Sequence, residues 1–250
     1  LALVRGGRSR LVFVAGEAGA GKTTLVDAFL RALDETREPV RVGRGRCSER
    51  LAGSEAYLPV LEVLDSLQRS EQHGSLSRLL RVIAPSWYAQ VMPPASDDSS
   101  AARLAADTVG GSQERLKREI ASLFEEVSRV QPVVLWIDDV HWADPSTTDL
   151  FGYLARRLES ARVLTIVTAR SSELAQSRHP FLSLKLDLLG RGLCREIVPG
   201  LLDEAAIERY LALQFPEHTF PPGFAALIHQ RTEGSPLFMA DLLRDLRRRQ

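Results

Sequence analysis

Three groups of residues have the types and spacing to handle a polyphosphate. Lys22, Thr23 and Thr24 close the glycine-rich stretch Gly16-Glu17-Ala18-Gly19-Ala20-Gly21. The apolar run Leu11 to Ala15 precedes it and the helix-like Leu25 to Leu30 follows. A strand, a glycine loop and a helix start are the setting in which G-x-x-x-x-G-K-[ST] binds phosphate. Gly16, Gly19 and Gly21 permit backbone angles and approaches that a Cβ blocks. The successive N–H groups, those of Glu17, Ala18 and Ala20 included, then form a concave nest. The helix N-terminus adds partial positive charge. In this reading Lys22 reaches the β- and γ-phosphates and Thr23 offers its hydroxyl to Mg²⁺.

The second group is Asp138-Asp139, at the end of the run Val133-Val134-Leu135-Trp136-Ile137. An unbroken apolar strand is buried on both faces, as in a parallel sheet, and ligands sit at the carboxyl ends of such strands. Asp138 is therefore assigned to Mg²⁺ through water, and Asp139 to orienting or deprotonating the attacking water. The third group is Arg170, which ends the buried run Val163 to Thr168 in Thr168-Ala169-Arg170. A guanidinium there can bond a γ-phosphate and sense its loss. Each group has a plainer reading: a glycine turn, an acidic turn, a charge at a strand end. His141 and Trp142 are read as packing under the site rather than as catalytic groups.

The elements that must position these groups alternate. A helix to about Leu33 follows the loop, then a short strand over Val40 to Cys47, with helices near 60–67 and 75–83. Residues 93–112, rich in Pro, Ser, Asp and Gly, read as a loop or mobile insert. A helix over 113–129 carries Leu116, Ile120, Leu123, Phe124 and Val127 on one face. Asp144-Pro145 gives an N-cap and a first-turn proline for a helix to about Leu158. A last strand is expected over Cys194 to Val198. Helices alone follow, over 203–214, 222–230 and 236–249, and Arg244 with Arg247 to Arg249 complements a helix C-terminus. The start, Leu1 to Arg10, reads as the end of a helix and a basic turn. A nucleotide-binding domain over 1–200 and a helical lid over 201–250 are expected.

The 250 residues are 44% hydrophobic, enough for a sizeable core. Lys plus Arg and Asp plus Glu both number 32, so no basic excess points to a nucleic-acid surface. Cys47 and Cys194 lie far apart without metal spacing and read as reduced thiols of a cytoplasmic protein. No apolar run reaches the ~20 residues of a membrane span. The first residue is not Met and the last lie in a helical pattern. A segment of a longer protein is expected.

The string Asp138-Asp139-Val140-His141-Trp142-Ala143-Asp144-Pro145 resembles the second nucleotide motif of the AAA-like ATPase domain of STAND proteins, signal-transduction ATPases with numerous domains. Large ATP-binding LuxR-type regulators and ATPase modules joined to cyclases and kinases are members. Gly16 to Thr24 and Arg170 fit the same pattern, and Gly234-Ser235-Pro236-Leu237-Phe238 is similar to the family's G-x-P-[LF]-F stretch. The resemblance implies an α/β P-loop NTPase fold, a five-stranded parallel sheet of order 5-1-4-3-2 flanked by helices, with a C-terminal helical subdomain. It implies that Pro236 lies against the nucleotide base. It further implies ATP or ADP with Mg²⁺, a closed ADP form and an open, assembling ATP form, slow hydrolysis, and a C-terminal effector domain outside this segment. Two departures stand out: the family's upstream Gly-Arg-Glu-type segment is not in this sequence, and Asp139 stands where fast AAA motors carry Glu. A DNA- or protein-acting motor, with Arg178 or Arg191 as a weak arginine finger, and a non-hydrolysing scaffold are the competing readings.

Overall fold

The computed structural model describes the chain except residues 1–3, 5, 37, 52–55, 72–73, 93–112, 217–219 and 249–250. The expected helix end before Gly6 lies mostly outside the described residues, and the 93–112 loop lies wholly outside them.

Five strands form one parallel sheet: β1 (Arg10–Ala15), β2 (Arg41–Arg46), β3 (Val133–Asp138), β4 (Val163–Ala169) and β5 (Cys194–Ile197). Their spatial order is β2-β3-β4-β1-β5, which is 5-1-4-3-2 read from the other edge. The phosphate-loop strand β1 lies between β4 and β5, and the aspartate-bearing β3 is one strand away across β4. Three carboxyl ends carrying the candidate groups thus share one rim.

Side chains alternate across the pleat. Leu11, Phe13, Val133, Leu135, Ile137, Val163 and Val167 join the larger core, and Val14, Val134, Trp136, Leu164 and Ile166 join a second one. The second core is covered by α1 (Lys22–Glu35) through Val26, Leu30 and Leu33. The larger is covered by α2 (Leu58–Arg69), α3 (Ser75–Ile83), α4 (Pro85–Val91), α5 (Gln113–Val130), α6 (Pro145–Arg157), α7 (Ser171–Gln176) and α8 (Pro180–Gly190). Ile120, Leu123, Phe124 and Val127 of α5 are buried as their spacing predicts. Full burial of each such side chain stabilises by about 1.5–3 kcal/mol.

Among the described residues three helices go unpredicted. α4 and α7 are short, although Ala84-Pro85 is a readable start signal. α8 is apolar at nearly every other position from Phe181 to Leu188, so no helical stripe stands out, and only Phe181 and Leu188 are buried. Three further helices, α9 (Glu204–Gln214), α10 (Phe224–Thr232) and α11 (Pro236–Arg248), pack on one another through Ile207, Leu211, Ile228, Met239 and Leu243, a cluster separate from the sheet. At the end of α11, Arg247 stacks over the Phe215 ring at 4.5 Å. Cys47 and Cys194 are free and buried; burial raises both thiols, Cys194 to about 11. Among the described residues no helix is long and apolar enough to cross a membrane.

Candidate nucleotide site

The loop after β1 turns on two glycines. Gly19 has φ 79° and Gly21 φ 81°, the left-handed region in which a side chain is strained. Gly21 precedes α1, whose start has no side-chain cap, so its first amides are left for an anion. Glu17, Ala18, Thr23 and Thr24 are exposed and Lys22 is buried. The Lys22 ammonium fills the cradle itself, donating to Gly16 O at 2.8 Å and Glu17 O at 3.0 Å. Burial lowers its pKa, and the Asp139 carboxylate opposes that shift.

Across the rim, the Thr23 hydroxyl lies 3.4 Å from both Asp138 oxygens. Thr168 of β4 donates its hydroxyl to Asp138 Oδ1 at 2.5 Å and accepts from the Asp139 N–H at 2.9 Å. Burial raises the Asp138 acid, with the Thr168 bond working against it. Asp139 turns out of β3 with φ 60°, an angle Asp tolerates better than most residues. Its Oδ2 lies 3.3 Å from Arg46 Nη2 at the end of β2, where Arg46 is in register with Asp138.

Arg170 leaves β4 beside these groups, and its charge acts on both Lys22 and Glu17. Its guanidinium donates to Glu173 Oε1 at 2.6 Å, and its N–H to His141 Nδ1 at 3.4 Å. The His141 side chain is fully buried, and burial lowers its pKa. Its ring centroid stands 5.2 Å from that of Trp142, as expected of packing beneath the site. Glu17 spans the gap to α7: its oxygens accept from Ser172 N at 3.1 Å and Ser172 Oγ at 2.5 Å, which lowers its pKa. A cavity of about 600 Å³ opens next to Arg170, lined also by Glu49, His141, Trp142, Glu173 and His179.

The start of α11 closes on the loop. A Cβ built on Gly19 stands 2.8 Å from Leu237 Cβ, and one on Gly21 stands 3.8 Å from Pro236 Cγ. Gly234 fixes the approach, accepting the Leu202 N–H at 2.8 Å. Asp144 caps α6 through Thr147 N at 2.9 Å and also accepts from Tyr57 N at 3.2 Å.

The residues present suit a magnesium polyphosphate. The glycine turn is a cradle that Cβ atoms would fill, and Thr23 with Asp138 is a hard-oxygen pair. Among the described residues no cluster of three or more His, Cys, Asp or Glu could hold a metal alone. A Mg²⁺ on this pair would complete its shell with phosphate and water, as Mg²⁺ commonly does.

Lys22, Thr23, Asp138, Asp139 and Arg170 thus meet on one rim. Of the weak finger candidates, Arg191 pairs with Asp187 at 2.8 Å and Arg178 follows α7 with φ 49°. Sequence reasoning missed Thr168, Arg46, Ser172 and Glu173. A signal existed for Thr168, a hydroxyl near the tip of an otherwise apolar strand and fully buried. Glu173 could have been marked as an acid in the first turn of a helix.

Similarity to known proteins bears on identity. An uncharacterized protein of Rhizobium meliloti (strain 1021) is 38% identical over 60 residues, 24% of this chain and 6% of that protein. The Walker-type ATPase paby2304 of Pyrococcus abyssi is similar in structure, with TM-score 0.50 and 16% identity, over 92% of this chain and 60% of that one. The Aeropyrum pernix ORC1 protein, solved in complex with DNA, has TM-score 0.51 and 16% identity over 100% of this chain and 58% of its own. The chain therefore spans under two thirds of each relative, and at such identities the structural likeness speaks for the fold. The sequence profile of the AAA ATPase domain matches residues 1–167, from before the phosphate loop to within β4, and the chain belongs to that family.

Proposed function

We propose that this chain is a regulatory ATPase module that binds ATP or ADP with Mg²⁺ and hydrolyses ATP slowly. The observation that carries the reading is the convergence of Lys22, Thr23, Asp138 and Asp139 at the carboxyl ends of β1 and β3. When bound, Mg²⁺ supplies the positive charge that neutralises the β- and γ-phosphate oxygens, held by Thr23 and Asp138. Lys22 exchanges the carbonyls of Gly16 and Glu17 for phosphate oxygens, while the amides of Gly16 to Thr24 hold the rest of the chain of phosphates. Asp139 orients the attacking water and accepts its proton. Its carboxylate is one methylene shorter than Glu and shared with Arg46, which favours slow turnover. Arg170 bonds the γ-phosphate. Residues 1–200 act as the nucleotide-binding domain and 201–250 as a lid, with Pro236 against the base.

The STAND resemblance supports the regulatory half of the reading: a closed ADP form, an open ATP form that self-assembles, and an effector domain beyond this segment, in the cytoplasm. A motor acting on DNA is the second reading; the ORC1 protein of similar fold was solved with DNA bound. Balanced charge, 32 residues of each sign, favours the first, without direct nucleic-acid contact by this segment.

Phosphate release with and without Mg²⁺ tests the proposal. The unaltered chain is expected to turn over below about 1 s⁻¹, the low end for enzymes. Lys22→Ala should abolish release, and Asp139→Asn should keep nucleotide binding while lowering turnover by about 10²–10⁴. Turnover indifferent to Lys22→Ala would overturn it, and strong stimulation by DNA would select the motor.

A further inference from the structure

Two buried polar atoms beside the site have no hydrogen-bond partner among the described residues: His141 Nε2 and Glu173 Oε2. They face each other at 3.3 Å without hydrogen-bond alignment. Buried donors and acceptors are normally satisfied, and leaving one unmade costs more than a made bond returns. This pair calls for a reason.

The neighbouring contacts supply one. His141 Nδ1 accepts the Arg170 N–H at 3.4 Å, so the neutral ring carries its proton on Nε2, toward Glu173. Glu173 holds the Arg170 guanidinium with its other oxygen at 2.6 Å. Arg170, Glu173 and His141 therefore form a ring with two edges made and the third poised. The backbone under Glu173 is fixed, because Glu17 takes both the N–H and the hydroxyl of Ser172. Only side-chain torsions need change for Glu173 to trade one partner for the other. Asp139, 3.9 Å from Nδ1, and Lys22 are the other charges acting on the imidazole.

Resting on the reading of Arg170 as a γ-phosphate ligand, we propose that Glu173 sets the discrimination between nucleoside triphosphate and diphosphate. It holds Arg170 while no γ-phosphate is present and passes to the His141 Nε2–H when Arg170 turns to the phosphate. The exchange replaces one charge-assisted bond by two, Arg170 to phosphate and His141 to Glu173, so the buried mismatch disappears in the triphosphate state. Glu173 and His141 are positioning residues here: neither needs to touch the nucleotide.

Calorimetric titration of the full chain with Mg²⁺ and either ADP or the β,γ-imido analogue of ATP tests this. Glu173→Gln should tighten the triphosphate analogue about two- to fivefold, the scale of a partly exposed ion pair, and leave ADP unmoved. In an Arg170→Ala background the same change should have no effect. His141→Asn keeps an acceptor for the Arg170 N–H but removes the donor to Glu173, and should lower the preference for triphosphate. Equal shifts for both nucleotides, or a Glu173→Gln effect that persists without Arg170, would overturn the inference. Failure of the unaltered chain to bind either nucleotide overturns the site reading as well. Binding with a ratio unmoved by Glu173→Gln overturns this inference alone.

Discussion

The Thr168 hydroxyl donates to Asp138 Oδ1 at 2.5 Å. Because the Thr168 hydroxyl oxygen also accepts from the Asp139 N–H, one side chain of β4 holds the Asp138 carboxylate and the Asp139 backbone at the tip of β3. Thr168→Val keeps the shape and removes the hydroxyl, leaving the Asp139 amide and one Asp138 oxygen without that partner. A loss of about 1–3 kcal/mol of stability is expected, the cost of unmade buried bonds. Weaker Mg²⁺-nucleotide binding should accompany it. Urea unfolding of the two proteins measures the first and titration the second; an unchanged midpoint would deny the bridge any importance.

Burial disfavours the charged forms of both Asp138 and Lys22. Asp138 has its pKa raised above the unfolded value, chiefly by burial. Its contribution to stability is thus fully present below the unfolded aspartate value of ~3.9 and lost as pH rises through the raised value. Lys22 has its pKa lowered by burial, so its contribution is present above the unfolded lysine value and lost as pH falls through the lowered one. In each case burial penalises the charged form. Asp138→Asn, which can still accept from Thr168, is expected to stabilise the nucleotide-free chain by about 1 kcal/mol at pH 7 and not below pH 4. Unfolding curves at the two pH values decide it. The unaltered chain should gain about 2.7 kcal/mol from Mg²⁺-ATP at a hundred times its dissociation constant, a gain the Asn variant should largely forgo.

Gly19 serves the phosphate loop and the last helix together. An alanine there would be strained at φ 79°, costing about 1–2 kcal/mol, and its Cβ would meet Leu237 Cβ at 2.8 Å. Gly19→Ala should weaken nucleotide binding and also expose the segment between Gly200 and Leu237 to protease. Leu237→Ala should give the second effect without the backbone strain. If Gly19→Ala leaves the cleavage pattern as it was, α11 does not rest on the loop in solution.

Much of this was legible in the sequence because the chemistry restricts residue type. Phosphate needs glycines and a lysine at fixed spacing, and a buried parallel strand needs an unbroken apolar run, so β1, β3 and β4 and their polar tips could be read directly. The sheet order came from the resemblance, since nothing local in the chain says that β4 lies between β1 and β3. The roles of Thr168 and Arg46 were hidden for that reason. Thr168 matters only because β4 lies next to β3, and Arg46 only because β2 pairs with β3 in that register. Glu173 becomes visible once α7 is known to start at Ser171, in a stretch too short for periodicity to show.

The separate apolar cluster of α9, α10 and α11 gives those helices a body of their own, whereas Pro236 and Leu237 give that body a point of rest on the phosphate loop. From that point α11 runs thirteen residues, about 20 Å. A change in the loop's backbone at Gly19 or Gly21 therefore meets Pro236 and Leu237, at the very start of that helix.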